Sequence, residues 1–312
     1  MGHLTPWSHV PHMMLSYNDN MTFAERWFNT VLSIYEILLR YFVHFPIHNE
    51  IAQTYFGHLG PLPTIEEVNR NVSLILVNTH RSLAPPKPSM PSIINIGGSH
   101  IQPVKPLPAN IKKFLDEAND GVIYFSLGTI IEASKMPKDI IKSFLNVFRK
   151  LKQRILWKFE DNSLTDIPPN VFIQKWMPQN DILAHPNVKV FISHGGLFGT
   201  FESLSHGVPL IVIPFFGDQT RNAKRVVNAG YGKMLQFKKL NEDILSETLR
   251  EILSNDAYSR KVKELSVLFN HNLVHPMDEA MFWIEYVCKF KGAKHLKSHA
   301  VICHGFHIYC LM

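Results

Sequence analysis

Phe23, Trp27, Val31, Ile34, Leu38 and Tyr41 recur at three- and four-residue steps, which predicts an amphipathic helix over 22–41. Thr22-x-x-Glu25 supplies its capping box, and Thr64-x-x-Glu67 does the same for a shorter helix after the turn Gly60-Pro-Leu-Pro63. Residues 73–78 then read as a buried strand. Between positions 84 and 108 stand seven prolines, with only 93–96 strand-like, so this stretch reads as an interdomain linker.

Beyond the linker the pattern becomes regular. Strands over 122–126, 155–159, 188–193, 210–214 and 232–236 alternate with helical segments over 138–151, 179–185, 198–206, 220–229 and 242–253. Such alternation predicts an α/β fold with a parallel sheet covered on both faces. The nearly continuous apolar run at 188–193, Val-Lys-Val-Phe-Ile-Ser, suits a strand buried on both sides.

Composition changes this picture little. The chain has 312 residues, 46% of them hydrophobic, enough for one large core or two smaller ones. Its net charge of +6 is spread along the chain without a basic tail, so no nucleic-acid partner is expected. Cys288, Cys303 and Cys310 all lie near the end, leaving the body without a disulfide framework. The start lacks a secretory signal, and no apolar run approaches the ~18 residues of a membrane-crossing helix, so a soluble chain is expected as written. The sequons Asn20-Met-Thr22 and Asn71-Val-Ser73 read as ordinary surface asparagines.

The chemistry lies at the strand ends, where open parallel sheets bind ligands. Ser126-Leu-Gly-Thr129 follows the first strand after the linker. Trp176-Met-Pro-Gln179 follows a short strand over 171–174, and His194-Gly-Gly196 and Asp218-Gln219 follow the next two. Gly195 and Gly196 let the backbone approach an anion at a helix start, which suits a diphosphate. His194 can donate to a phosphate oxygen, while Gly199 keeps the first helical turn free of side chains. Glu202, three residues on from Gly199, can accept both hydroxyls of a ribose. Trp176 offers a flat face to a uracil, and Asp218 and Gln219 remain for sugar hydroxyls. Singly, these residues also suit a core aromatic, a strand-end cap, a solvated helix position and a helix N-cap. Their joint order at successive strand ends points to a UDP-sugar.

This stretch closely resembles the UDP-glycosyltransferase signature. The residues carrying the resemblance are Trp176-Met-Pro-Gln-Asn-Asp-Ile-Leu-Ala-His-Pro186, Phe191-Ile-Ser-His-Gly-Gly196, Glu202, Gly207-Val-Pro209 and Asp218-Gln-Thr-Arg-Asn222. Similarity extends from Met21-Thr-Phe23 through residues 122–129 to Lys291-Gly-Ala-Lys-His295 and is that of an animal, insect-like member. The resemblance implies the two-domain GT-B fold: a complete carboxyl-terminal Rossmann-like donor domain over 109–292, a remnant of the acceptor-side domain with linker over 1–108, and an atypical tail over 293–312. It implies transfer of a hexosyl group, glucose or glucuronic acid, with inversion, from a UDP-sugar co-substrate to a small lipophilic acceptor. No further cofactor is implied, and with no Asp-x-Asp pair no metal is expected. Trp176 and Gln179 would hold uridine, Glu202 the ribose, Ser126, Thr129, His194, Gly196 and Gly199 the phosphates, and Asp218 and Gln219 the sugar. Relatives typically work in detoxification at the endoplasmic reticulum membrane.

Departures from the family pattern bear on catalysis. Members carry a catalytic histidine, paired to an aspartate, in an amino-terminal domain that this chain is expected to enter late. His3, His9, His12, His44, His48, His58 and His100 sit in no matching motif, so no catalytic base is assigned. The alternatives are an epimerase of the same fold, or a non-catalytic isoform that pairs with and modulates full-length relatives. Cys303, His304, His307 and Cys310 fit no standard zinc spacing and read as an unstructured terminus.

Overall fold

The computed structural model describes residues 5–297 except 16, 18, 19, 84, 85, 162 and 163. The tail residues Cys303, His304, His307 and Cys310, and His3 at the start, lie outside the described residues. Two compact units form, one from residues up to Gly97 together with those from Val274, the other from Gly98–Leu273.

The first unit holds α1 (Phe23–Leu39), α2 (Phe45–Phe56), α3 (Ile65–Asn71), the parallel pair β1 (Ile75–Val77) and β2 (Ile93–Asn95), and α11 (Pro276–Lys289), which the second unit's elements precede. Both predicted capping boxes are present. Between α1 and α2 the helix widens into a π turn, Arg40–His44, in which Phe45 N–H reaches back to the Arg40 carbonyl. Pro46, without an N–H, follows at once, so the widened turn accommodates the donor it cannot supply. The uninterrupted helical stretch Phe23–Leu59 runs 37 residues and is, by length and composition, apolar enough to cross a membrane. That corrects the expectation that no stretch reaches this length: Arg40, His44, His48 and Glu50 break the apolar run in sequence without ending the helix.

The buried side of α1 differs from the predicted apolar stripe. Asn29 and Ser33 are buried while Trp27 and Leu38 are exposed. Asn29 Nδ2 donates to the carbonyls of Trp7 and Val10, and Asn29 Oδ1 accepts from His12 N–H, so hydrogen bonds to the preceding segment choose the covered face.

The second unit is a six-stranded, all-parallel sheet in the order β5 (Val171–Gln174), β4 (Arg154–Lys158), β3 (Val122–Ser126), β6 (Val188–Ser193), β7 (Leu210–Val212), β8 (Gly232–Met234). Numbered from β3, that order is 3-2-1-4-5-6, the arrangement of a Rossmann-like fold, reversing between β3 and β6. The helices of this unit are α4 (Ala109–Asp116), α5 (Lys138–Arg149), α6 (Gln179–Leu183), α7 (Leu197–His206), α8 (Gln219–Asn228), α9 (Glu242–Ser254) and α10 (Asp256–Asn270). Period-two alternation sends Ile123, Phe125, Ile155, Trp157, Val190 and Ile192 to one face, where Phe144, Phe148, Leu245 and Leu249 cover them. Tyr124, Leu156 and Phe191 take the opposite face and are equally buried.

The division between units differs from the expected one at 108/109 and 292/293. Within the second unit the proline-bearing segment is tied down: Gln102 O accepts from Asn180 Nδ2 at 3.0 Å, and Lys105 N–H donates to Asp181 Oδ1 at 2.8 Å. Within the first unit, Lys297 Nζ donates to Asn71 O, which returns the carboxyl-terminal stretch to α3.

Phe125 stacks on Trp157 at 5.0 Å and packs on Phe144 at 4.7 Å, making one aromatic block under the sheet. Trp157→Ala is expected to lower unfolding free energy by about 3–5 kcal/mol in urea titrations, the cost of a large core cavity.

Candidate functional site

The reversal between β3 and β6 opens a crevice at their carboxyl ends, and the motifs after both strands line it. β6 delivers Ser193 and His194, and Gly196 then caps α7 without a side-chain bond. The first helical backbone bond runs from Thr200 N–H to Gly196 O, so the preceding amides have no acceptor within the helix.

His194 is held between two glycines. A Cβ on Gly128 would stand 2.7 Å from His194 Cε1, and a Cβ on Gly196 would collide with Nε2. Gly128 also has φ +83°, a conformation glycine adopts without strain. Burial pushes the imidazole below its ordinary value, with Asp218 opposing. Its Nδ1 is buried and has no partner among the described residues.

Asp218 joins this group through Asn222, whose Nδ2 donates to Asp218 Oδ2 at 2.8 Å and to Gly195 O at 3.0 Å. Ser126, Gly128, His194, Gly195, Gly196, Asp218 and Asn222 are thereby one connected set. A second set lies further along α7: Gln179 Nε2, from the start of α6, donates to Glu202 Oε2. A Cβ on Gly199 would meet Gln179 Nε2 at 3.2 Å, so the missing side chain admits that pair. Trp176 is 67% exposed on the loop before α6, and Thr129 is exposed directly after Gly128.

Two predicted site residues have loop-holding bonds. Gln219 is buried, and its Oε1 accepts from Phe215 N–H at 2.8 Å and Phe216 N–H at 3.1 Å. Ser126 is buried, and its Oγ accepts from Gly128 N–H at 3.3 Å. Their polar atoms shape the loops that present Asp218 and Gly128.

Sequence reasoning missed Lys158 and Glu160. Lys158 ends β4, is 9% exposed, and donates from Nζ to Gly128 O at 2.8 Å and to Glu160 Oε1 at 2.9 Å. A lone basic residue closing the apolar run Ile155-Leu-Trp157 was the available signal. His100 Nε2 donates to Phe198 O at 3.2 Å, and its ring lies 4.5 Å from that of Phe198.

In the first unit His12 Nε2 lies 2.6 Å from Glu36 Oε2, a histidine–carboxylate pair. Its Nδ1 accepts from Met14 N–H at 3.2 Å, which leaves Nε2 as the donor to Glu36. This pair fastens the segment before α1.

Residues 1–309 match the family described as UDP-glucoronosyl and UDP-glucosyl transferase. The chain belongs to this family. Among curated proteins it is 40% identical over 307 residues to UDP-glucosyltransferase 2 of Dactylopius coccus, with 98% of this chain and 59% of that one covered. It is 34% identical over 309 residues to human UDP-glucuronosyltransferase 1A9, covering 97% of this chain and 56% of that one. It therefore spans somewhat more than half the length of these relatives. Among solved structures, the glycotransferase of kitacinnamycin superposes with a TM-score of 0.61 at 22% identity, covering 84% of this chain and 67% of that one. UDP-glucose: anthocyanidin 3-O-glucosyltransferase in complex with UDP gives 0.59 at 19% identity, covering 70% and 54%. These likenesses support the GT-B class of the fold.

Burial holds the Glu202 carboxyl above its ordinary value, opposed by the Gln179 hydrogen bond and aided by Asp181. The folded state thus binds this proton more tightly than the unfolded chain, and the stability so gained is lost as pH rises through the raised value. Glu202→Gln is expected to melt at or above the wild-type temperature at neutral pH and to flatten that pH dependence in thermal melts.

Proposed function

We propose that the second unit binds the UDP of a UDP-sugar, and that the protein serves as a glycosyltransferase moving a hexosyl group to a small lipophilic acceptor. The enclosure of His194 between Gly128 and Gly196, at the start of α7 where no side chain caps the helix, carries this reading. Amides without an acceptor in the helix, and its positive end, favour a diphosphate there. In this reading Glu202 accepts from the ribose hydroxyls, Gln179 steadies it, and Trp176 stacks on the uracil.

The acceptor oxygen, having given its proton to a base, attacks the anomeric carbon from the face opposite UDP. A new carbon–oxygen bond forms as the bond to the diphosphate breaks, and its electron pair leaves with UDP, so the configuration inverts. The α7 amides and His194 stabilise the charge gathering on the leaving group. No base is assigned, because the histidines named above sit in no matching catalytic motif. That observation also supports a second reading, a donor-binding isoform that associates with longer relatives and modulates them.

Calorimetry should detect saturable binding of UDP. Trp176→Ala is expected to weaken it by about 1–3 kcal/mol, the worth of one stacked base, while leaving the melting temperature unchanged. The sugar of UDP-glucose should stay intact without an acceptor, where an epimerase would alter it. With a phenolic acceptor, product chromatography should show turnover well below that of a longer relative. Equal turnover would reject the missing base, and absence of UDP binding would reject the donor site.

A further inference from the structure

The buried ion pair at the end of β4 has no place in the donor contacts drawn above. Lys158 is almost wholly enclosed, and desolvating its amino group is costly unless strong partners meet it. Those partners are specific. Nζ donates to Gly128 O at 2.8 Å and to Glu160 Oε1 at 2.9 Å, while Glu160 Oε2 accepts from Ser134 N–H at 3.2 Å. The pair therefore ties β4, the segment before α5 and the loop after β3 into one unit.

Gly128 is the member that matters. Its carbonyl is pinned by Lys158, and its N–H donates to Ser126 Oγ. With both polar ends fixed, its bare Cα side has one place to lie, and that is against the His194 ring, where a Cβ would come within 2.7 Å of Cε1. Gly196 closes the other side of the ring.

We propose that Lys158 is a positioning residue for the diphosphate: by anchoring Gly128 it sets the orientation of His194 at the start of α7. The inference rests on the reading of this crevice as a UDP site. Lys158 acts through Gly128 and His194, and its substitution is felt by ligands that carry phosphate and not by the nucleoside alone.

Titrations of the intact chain with UDP and with uridine, followed by nuclear magnetic resonance, test this. Lys158→Met is expected to weaken UDP by roughly tenfold, leave uridine unchanged, and shift the pH dependence of UDP binding, with Lys158→Arg restoring much of the loss. Should Lys158→Met fail to fold, Lys158→Met combined with Glu160→Gln removes both charges and leaves no carboxylate buried alone, and the same split is expected. Equal loss of UDP and uridine, or no loss of either, in the folded variant overturns the proposal. His194→Ala and Trp176→Ala separate the two levels. If both weaken UDP and Lys158→Met does not, only this inference fails; if neither does, the nucleotide reading beneath it fails as well.

Discussion

A parallel sheet whose strand order reverses must leave a gap where the reversal occurs, and the loops that follow β3 and β6 meet beside it. β3 and β6 are neighbours in the sheet but not in the chain, so the segments leaving their carboxyl ends part to different sides. The one loop brings Gly128, the other brings His194 and Gly196, and α7 begins at the same point with its amides unspent. Close approach is possible only because two of those residues lack side chains. Larger ones would drive the imidazole out of the crevice.

The same region holds groups that a stability-optimised core would avoid. Lys158 and Glu160 form an ion pair of which little is exposed, Glu202 is a carboxyl kept above its ordinary value by burial, and His194 has a buried nitrogen without a partner among the described residues. Directly beneath, Phe125, Phe144, Phe148 and Trp157 form a continuous aromatic block with side chains fully buried. A rigid apolar base thus supports a set of buried polar groups, most of them held by specific hydrogen bonds.

Much of this was legible in the sequence, for physical reasons that can be named. Fully buried parallel strands leave dense apolar runs, so the second unit's strands were placed within a residue or two, except that β7 and β8 are shorter than the runs suggested. The capping boxes at Thr22 and Thr64 were legible because the bonding residues sit at a fixed local spacing. The helix α2 was not, since Pro46 and a scatter of polar residues hide a stretch with no single buried face. The helices after 254, α10 and α11, also went unread, and with them the return of the chain to the first unit.

At the candidate site the sequence conveyed which residues gather but not how each is used. A buried amide or hydroxyl serves its own loop as readily as a ligand, which is why Gln219 and Ser126 turn out to hold backbone. Lys158 is separated from Gly128 by a helix and a strand, and only the fold brings them together. A crystal structure of the chain with UDP would test the account most directly. It should show the diphosphate on the amides that open α7 and within hydrogen-bonding reach of His194, with the ribose on Glu202 and the uracil on Trp176. A nucleotide seated away from the β3–β6 crevice, or a diphosphate turned from α7, would contradict it.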